Sequence, residues 1–409
     1  MSTMSQSRAW QGPPVFSYGF RPFFLMASIY AALVVALWVS WYLGAISVPT
    51  TFDPISWHVH ELMFGYVLAV VAGFLLTAVP NWTGRLPVVG YPLIGLALLW
   101  LIGRIAVTLS GWLDPVSLAV LSFAFPLALL FVVAREVIIG NNTNNYVVIA
   151  ALGVIVAAQA LMQIQSWLGH SAETGGRLAI AGAVMLIMII GGRITPSFTR
   201  NWIRKANPGR EPTPPGRFDT FALLAGGAGL LLWIFVEMLP RELLVPAGVI
   251  LIAAGTLHLI RQARWTPDRT LQEPLVLVLH AGYVFVPLGF ILSGCAMIEP
   301  LAIAPLAGTH AWSAGAFGVM TLAVMTRATL GHTRRSLEAS AGTVLVYSAA
   351  VLAALIRVAA ALLPDYAVVL LQTSGALWCF AFLGFTFIYG PMLLSKPHEP
   401  QLNARTSEH

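Results

Sequence analysis

Runs of about 20 mostly apolar residues recur along almost the whole chain, separated by short stretches that hold proline, glycine and charged residues. A helix needs roughly 20 apolar residues to cross the hydrocarbon core of a bilayer. Of the 409 residues, 58% are hydrophobic and only 9% are charged, a balance that excludes an ordinary soluble domain. The pattern therefore predicts an all-α integral membrane protein.

We predict about twelve membrane-spanning helices in one polytopic bundle. The expected spans are 22–44, 58–79, 90–110, 115–137, 146–168, 176–192, 219–239, 243–261, 272–295, 303–330, 341–363 and 366–394. Continuous apolar runs at this spacing exclude a β-barrel, whose strands show short alternating segments. The predicted organisation is a cytoplasmic N-terminal segment at 1–21, a transmembrane domain at 22–394 and a polar cytoplasmic tail at 395–409.

Basic residues predict the orientation, because Lys and Arg accumulate on the cytoplasmic side of a membrane. With the N-terminus inside, the outer loops hold only Arg177 and Arg241, and the other basic residues outside the spans fall on the inner side. Both termini are then predicted to be cytoplasmic. The net charge of +6 follows from this topology and indicates no nucleic-acid partner. The longest connection, Arg193 to Arg217, is expected to lie against anionic lipid.

The two cysteines and the glycine pattern exclude several kinds of site. Cys295 and Cys379 both lie in predicted spans and form no CxxC, CxxCH or zinc-finger spacing, which excludes covalent c-type haem and thiolate clusters. Neither a G-x-G-x-x-G fingerprint after a strand nor a GK[ST] phosphate loop is present, so no nucleotide site is predicted.

Placing the nine histidines on the predicted spans separates them into groups. Three lie at the outer ends of spans two and ten: His58, His60 and His310. Three lie at or near the inner ends of spans eight, nine and ten: His258, His280 and His332. The other three are in the tail or an outer loop and are discounted: His170, His398 and His409. Because a continuous helix rises about 1.5 Å per residue, His310 and His332 are roughly 33 Å apart, which predicts two separate sites.

The outer site is centred on the sequence WHVHE at 57–61. Ionisable groups in a bilayer are costly unless paired or ligated, so they are functional candidates by default. Successive helical residues turn by about 100°, so His58 and His60 are expected on opposite faces, with Glu61 on the face of His58. Imidazole binds haem iron and copper alike, and Glu61 can orient a ligand histidine. A purely structural polar network is the alternative.

Two arginines lie inside spans, at the same depth as the outer histidines. Arg104 and Arg357 can each neutralise an anionic cofactor group such as a haem propionate, or they can be held by a carbonyl or a carboxylate of the bundle.

On the inner side, His280 lies about 10 Å along its helix from Glu273 and needs a partner from another helix. If His258 and His332 converge on it, the three imidazoles form a second haem or copper site; otherwise His258 and His332 are interfacial.

Three long motifs carry a family resemblance: FSYGFRPFF at 16–24, WHVHELMFGYVLAVVAGFLLTAVPNWTGR at 57–85 and HAWSAGAFGVMTLAVMTRATLGHTRR at 310–335. Together they resemble the NnrS family of bacterial inner-membrane proteins over essentially the entire chain. That resemblance implies haem b, copper with less support, and a link to nitric oxide metabolism and nitrosative stress during denitrification. His58, His60, Arg85, His310, Arg327 and His332 stand inside the matching motifs.

The resulting hypothesis is a haem- and copper-containing membrane protein that binds or turns over nitric oxide. If it is an enzyme, it is a haem oxidoreductase similar to nitric oxide reductases, with His60 and Glu61 as catalytic residues and a quinol or redox protein as electron donor. Its layout resembles that of haem-copper oxidases, although spans six and seven lack the histidines that ligate copper there. A secondary transporter and a haem sensor or metal-handling protein are the alternatives.

The chain also shows a short internal similarity. TAVPNWTGR at the end of span two and TPSFTRNW at the end of span six suggest repeated four-helix units.

Overall fold

A computed structural model of the protein describes residues 10–299 and 303–396. Predictions that concern residues 1–9 and most of the tail, including His398 and His409, lie outside the described residues. Within the described ranges the regular structure is entirely helical, without a β-strand. The predicted all-α fold class is therefore confirmed.

Twelve helices are long and apolar enough to cross a membrane, as the sequence predicts. Spans 1 to 12 are Phe20–Tyr42, Pro54–Thr83, Tyr91–Thr108, Pro115–Ile139, Thr143–Trp167, Glu173–Ala206, Arg217–Ile234, Arg241–Ala263, Pro274–Ile298, Leu306–His332, Ala341–Leu362 and Pro364–Leu394. The predicted cytoplasmic location of the termini stays a prediction.

Local sequence signals place several of the helix ends. Asp53 and Asp114 each accept two backbone N–H groups of the helix that follows and stand directly before a proline at the first helical position. Both features favour a helix start, since they satisfy unpaired donors and preset the backbone. Span 2 ends at Gly84, whose φ of +68° is a left-handed conformation that glycine adopts without strain.

Span 6 is longer than the sequence analysis predicts. Its helix continues through the basic segment to Ala206, so the connection to span 7 is 207–216 rather than Arg193–Arg217. The prediction ended the helix where the apolar run ends. The helix instead continues because Thr195, Thr199 and Ile203 form a buried face against the rest of the protein.

Spans 2, 6 and 10 pack against one another at the centre of the bundle, and each contains a π-helical segment. These segments are Glu61–Val67, Ile187–Gly191 and Ala311–Phe317, and the fifth residue of each is a glycine, namely Gly65, Gly191 and Gly315. A π turn disrupts the regular ladder of backbone hydrogen bonds and often marks a functional site. The recurrence at every fourth span supports the four-helix repeats that the sequence suggests.

Side chains of neighbouring helices bind carbonyl groups within two of these π segments. Trp100 Nε1 on span 3 donates to the Gly65 carbonyl at 2.9 Å, and Arg261 Nη1 on span 8 donates to the Met188 carbonyl at 2.9 Å. Span 12 packs against span 1, where Trp378 Nε1 donates to the Ala31 carbonyl at 3.0 Å. The bundle therefore satisfies backbone groups with side chains in place of water.

The π glycines allow close approach between helices. A Cβ on Gly315 would lie 2.2 Å from Cγ of Phe285 on span 9, and one on Gly65 would lie 2.4 Å from Cε1 of Tyr30 on span 1. Neither contact is sterically allowed, so even alanine requires the neighbouring aromatic ring or its helix to shift.

Replacing Gly315 with alanine is expected to destabilise the protein by about 1–3 kcal/mol, the usual cost of overpacking a core. The matched control is Gly153→Ala on span 5, where a Cβ has no neighbour within 4 Å. Thermal unfolding of the detergent-purified variants checks this, with a clear fall in Tm for Gly315→Ala and none for Gly153→Ala. Equal Tm values would contradict the close packing of spans 9 and 10.

Candidate metal and cofactor site

His58 and His60 point into different surroundings, as the helical period predicts. His58 faces a cavity between spans 1, 2, 10, 11 and 12, whereas His60 is buried beside Phe52 and Phe64. Glu61 does not join His58, contrary to the expectation that the two share a face. Its carboxylate instead contacts His60 and Arg104, because a buried guanidinium is the strongest partner within reach.

Four buried or part-buried side chains form a connected group that we call the Glu61 network: Tyr30, His60, Glu61 and Arg104. Arg104 Nη1 donates to Glu61 Oε1 at 2.6 Å, and His60 Nδ1 lies 2.9 Å from the same oxygen. The Tyr30 hydroxyl donates to Glu61 Oε2. Gly65, one turn further along span 2, leaves room for both Tyr30 and Arg104, since a Cβ there would lie 3.1 Å from Arg104 Cδ.

The Glu61 network neutralises its own charge. Glu61 is 0% exposed and Arg104 is 3% exposed, so each ion depends on the other for compensation. Of the two roles predicted for Arg104, the structure shows the one in which a carboxylate of the bundle holds it. The network nevertheless leaves His60 Nε2 buried without a hydrogen-bond partner among the described residues.

The second group, which we call the His58 cavity, contains the side chains of His58, His310 and Arg357. The His58 ring stacks on Trp38 with ring centroids 3.9 Å apart. His58 Nδ1 and His310 Nε2 are both buried without a hydrogen-bond partner among the described residues. Two imidazoles with free nitrogen atoms therefore face one apolar cavity, which has a volume of about 60 Å³.

The described residues supply no counter-ion for Arg357. No hydrogen bond or ion pair joins its guanidinium to another side chain there, and the titratable groups that interact with it electrostatically are Tyr42, His58 and His310, none of them a carboxylate. A cation at this depth is costly without an anion. The His58 cavity therefore contains a positive charge that the described side chains leave uncompensated.

The two groups occupy corresponding positions in the first and third four-helix units. His60 and His310 each stand immediately before a π segment, and Arg104 and Arg357 each lie on the helix that follows, span 3 and span 11. The residue after the histidine differs, since it is Glu61 in the first unit and an alanine in the third. This difference explains why Arg104 is paired and Arg357 is not.

The inner histidines have separate surroundings and do not converge. His258 Nδ1 lies 2.9 Å from the Tyr283 hydroxyl, which also accepts from Arg261 Nη1 at 3.0 Å. Arg261 in turn donates to the Asp219 carboxylate at 3.0 Å. His258 is thus part of a buried polar chain rather than an interfacial residue.

His280 and His332 each contact different residues from those around His258. His280 Nε2 lies 2.9 Å from the Thr199 hydroxyl on span 6. His332 is exposed at the inner end of span 10 and packs against Tyr18 and Phe20. The structure therefore does not bring the three imidazoles together, and their predicted roles as metal ligands gain no support from it.

The donor set of the His58 cavity fits a haem iron chemically. Among the described residues no group of three or more His, Cys, Asp or Glu side chains is arranged to hold a metal ion. Haem iron needs only one or two imidazoles from the protein. His58 and His310 supply them, and Arg357 matches a propionate. A cavity of about 60 Å³ admits an ion with a small ligand but is too small for a haem ring, so haem binding would also require the helices around the cavity to separate.

Several partners of these residues were not predicted from the sequence. Tyr30, Trp38 and Asp219 each contact a candidate residue, yet nothing in their local sequence distinguishes them from interfacial or packing residues. Arg261 is a further unpredicted partner, since it contacts Tyr283 and Asp219 in the chain that holds His258. Its spacing of three residues from His258 on one helix was the available signal that the two share a face.

Comparison with known families agrees with the motifs. The family model described as NnrS protein matches residues 14–396, which include all twelve spans. No curated protein matches the chain significantly. Because the match covers nearly the whole sequence, the chain belongs to the NnrS family.

Proposed function

We propose that this protein binds haem b and copper in the bacterial inner membrane and binds or turns over nitric oxide. NnrS family membership links it to nitric oxide metabolism. The observation that carries the proposal is the His58 cavity, where two unpartnered imidazoles face an uncompensated arginine. A metal supplies the missing partner for the imidazoles, and an anionic group supplies the missing charge for Arg357.

In this proposal the residues of the His58 cavity hold the cofactor. His58 on span 2 and His310 on span 10 would offer the iron the nitrogen atoms that lack partners, and Arg357 would pair with a propionate. When bound, haem iron would supply a site for a diatomic ligand, provided that only one of the two imidazoles ligates it. Trp38 orients the His58 ring by stacking and shields it from lipid.

The Glu61 network serves charge and proton handling in the same proposal. Glu61 Oε2 accepts from the Tyr30 hydroxyl and Oε1 from Arg104, so the carboxylate is held in place while His60 Nδ1 shares Oε1. Among the described residues, His60 Nε2 and Arg104 Nε are the buried nitrogen atoms of this network without a hydrogen-bond partner, and the imidazole nitrogen is the outer-half candidate for copper. Glu61 then orients the ligand histidine, as carboxylates commonly do in metal sites.

Nitric oxide is small and apolar and partitions into the bilayer, so it reaches a site between helices without an aqueous channel. Reduction of the gas requires electrons, and we propose a quinol or a redox protein as their source. A sensor or metal-handling role differs from an enzymatic one only in turnover. Consumption of nitric oxide by the purified protein with a reductant distinguishes them.

Nothing in the structure favours the transporter alternative. Transporters of that kind place their substrate at helices that are unwound near the midplane of the membrane. Pro126 and Pro287 are prolines inside spans 4 and 9, and both lie within continuous helices. The π segments widen their helices but do not interrupt them.

Optical spectra with metal quantification test the proposal directly. The detergent-purified protein is expected to contain iron and copper and to show a reduced b-type spectrum that shifts on addition of nitric oxide. The measurement uses one sample in the oxidised and reduced states, with and without the gas. A preparation without a Soret band, from cells supplied with haem and copper, would rule out the proposed function.

Replacing His58 or His310 with alanine is expected to abolish or strongly reduce haem content, since each removes an imidazole from the cavity. The matched control is His170→Ala, because His170 is exposed in a loop. Haem per protein, measured as the pyridine haemochrome, checks this after Tm has shown that the variants fold. Full haem occupancy in both variants would overturn the assignment of His58 and His310 as iron ligands.

Arg357→Gln is expected to weaken haem retention roughly ten- to a hundredfold, because a charge-assisted hydrogen bond contributes about 1.5–3 kcal/mol. Arg357→Lys keeps the charge and should retain part of the affinity. Arg241→Gln, at an exposed position at the outer end of span 8, is the control. Titration of haem into the apoprotein measures the three affinities, and equal values for Arg357→Gln and the control would exclude the propionate contact.

A further inference from the structure

A second cavity lies between the three spans that contain π segments, and it is partly open at one side, where the lining residues Val71, Ile190 and Val324 are half-buried. Its volume is about 90 Å³. Its walls come from spans 2, 6 and 10 alone, and the lining residues are Val67, Val70, Val71, Phe74, Ala183, Leu186, Ile187, Ile190, Gly191, Ile194, Phe317, Met320, Thr321 and Val324. We call it the central cavity.

The central cavity offers no hydrogen bonds to water from its side chains. Thr321 is the one polar side chain among the described residues that line it, and its hydroxyl donates to the Phe317 carbonyl at 2.6 Å and also bonds to the Tyr66 hydroxyl. A buried water needs two to four polar partners, and apolar cavities without them stay dry and bind xenon or small hydrocarbons. The central cavity is therefore suited to a small apolar molecule.

The central cavity adjoins the His58 cavity. Val67 and Phe317 line both, and they are the last residues of the π segments of spans 2 and 10. Tyr66 also lines the His58 cavity and is bonded to Thr321 on the wall of the central one. Two apolar side chains and one hydrogen bond thus separate the two spaces.

We propose that the central cavity binds a small apolar gas molecule next to the candidate metal site, with Val67 and Phe317 as the partition. The identity of the gas as nitric oxide rests on the proposed function, but the binding of an apolar gas does not. Nitric oxide is neutral and diatomic and needs no hydrogen bond from the walls. A molecule held here is separated from the His58 cavity by only the width of two side chains.

Xenon binding tests the inference without any metal. Xenon NMR of the purified full-length protein, in detergent and over a range of xenon pressures, is expected to show a protein-dependent shift. Val71→Phe fills the cavity from span 2 and should lose most of this shift. Val249→Phe is the control, because Val249 is 53% exposed on span 8 and lines neither cavity. Thermal unfolding confirms that both variants fold.

The outcomes separate the inference from the proposed function. A xenon shift that Val71→Phe removes and Val249→Phe retains supports the central cavity as a gas site, whether or not the preparation contains metal. Equal shifts in the wild type and Val71→Phe overturn it, including the case in which a lipid or detergent chain already fills the space. Loss of the Soret band with an intact xenon shift refutes the proposed function alone.

Discussion

The ion pair between Glu61 and Arg104 shows the constraint under which the whole bundle is built. Without water, each buried charge must find its partner within the protein. For Glu61 the partner is Arg104 on the next span, whose Nη1 donates to Glu61 Oε1 at 2.6 Å. Tyr30 and His60 also contact the carboxylate. Asp219 and Arg261 obey the same rule near the inner end. Against that background, an arginine without a counter-ion among the described residues and two imidazoles with unpartnered nitrogen atoms, all lining one cavity, call for a ligand.

The π segments connect this constraint to the packing. They recur in spans 2, 6 and 10, and their glycines bring neighbouring helices close enough for side chains to reach backbone carbonyls. The same turns place His60 and His310 in corresponding positions. In the first unit Glu61 follows the histidine and compensates the charge of Arg104. In the third unit Ala311 follows the histidine, so Arg357 is available to pair with an anion from outside the protein. A single residue difference thus separates a charge-compensated network from a candidate binding site.

The sequence predicted the spans well because bilayer thickness imposes helix length, and most ends agree within a few residues. It was wrong at span 6, where a helix continues beyond its apolar run through contacts with distant residues. It predicted that His58 and His60 diverge, since that follows from the helical period. It did not predict that Glu61 would join His60, because the position of Arg104 on another helix decides this.

The sequence by itself determined the membrane class, the number of helices, the depth of each histidine along its helix and the family, because these depend on composition, local periodicity and long motifs. Only the tertiary structure decided which ionisable groups meet. Three inner imidazoles that share a depth lie in separate surroundings, while His58 and His310, 252 residues apart, line one cavity. The reason is physical: rotation of each helix about its axis is set by packing against its neighbours, and no local pattern encodes it.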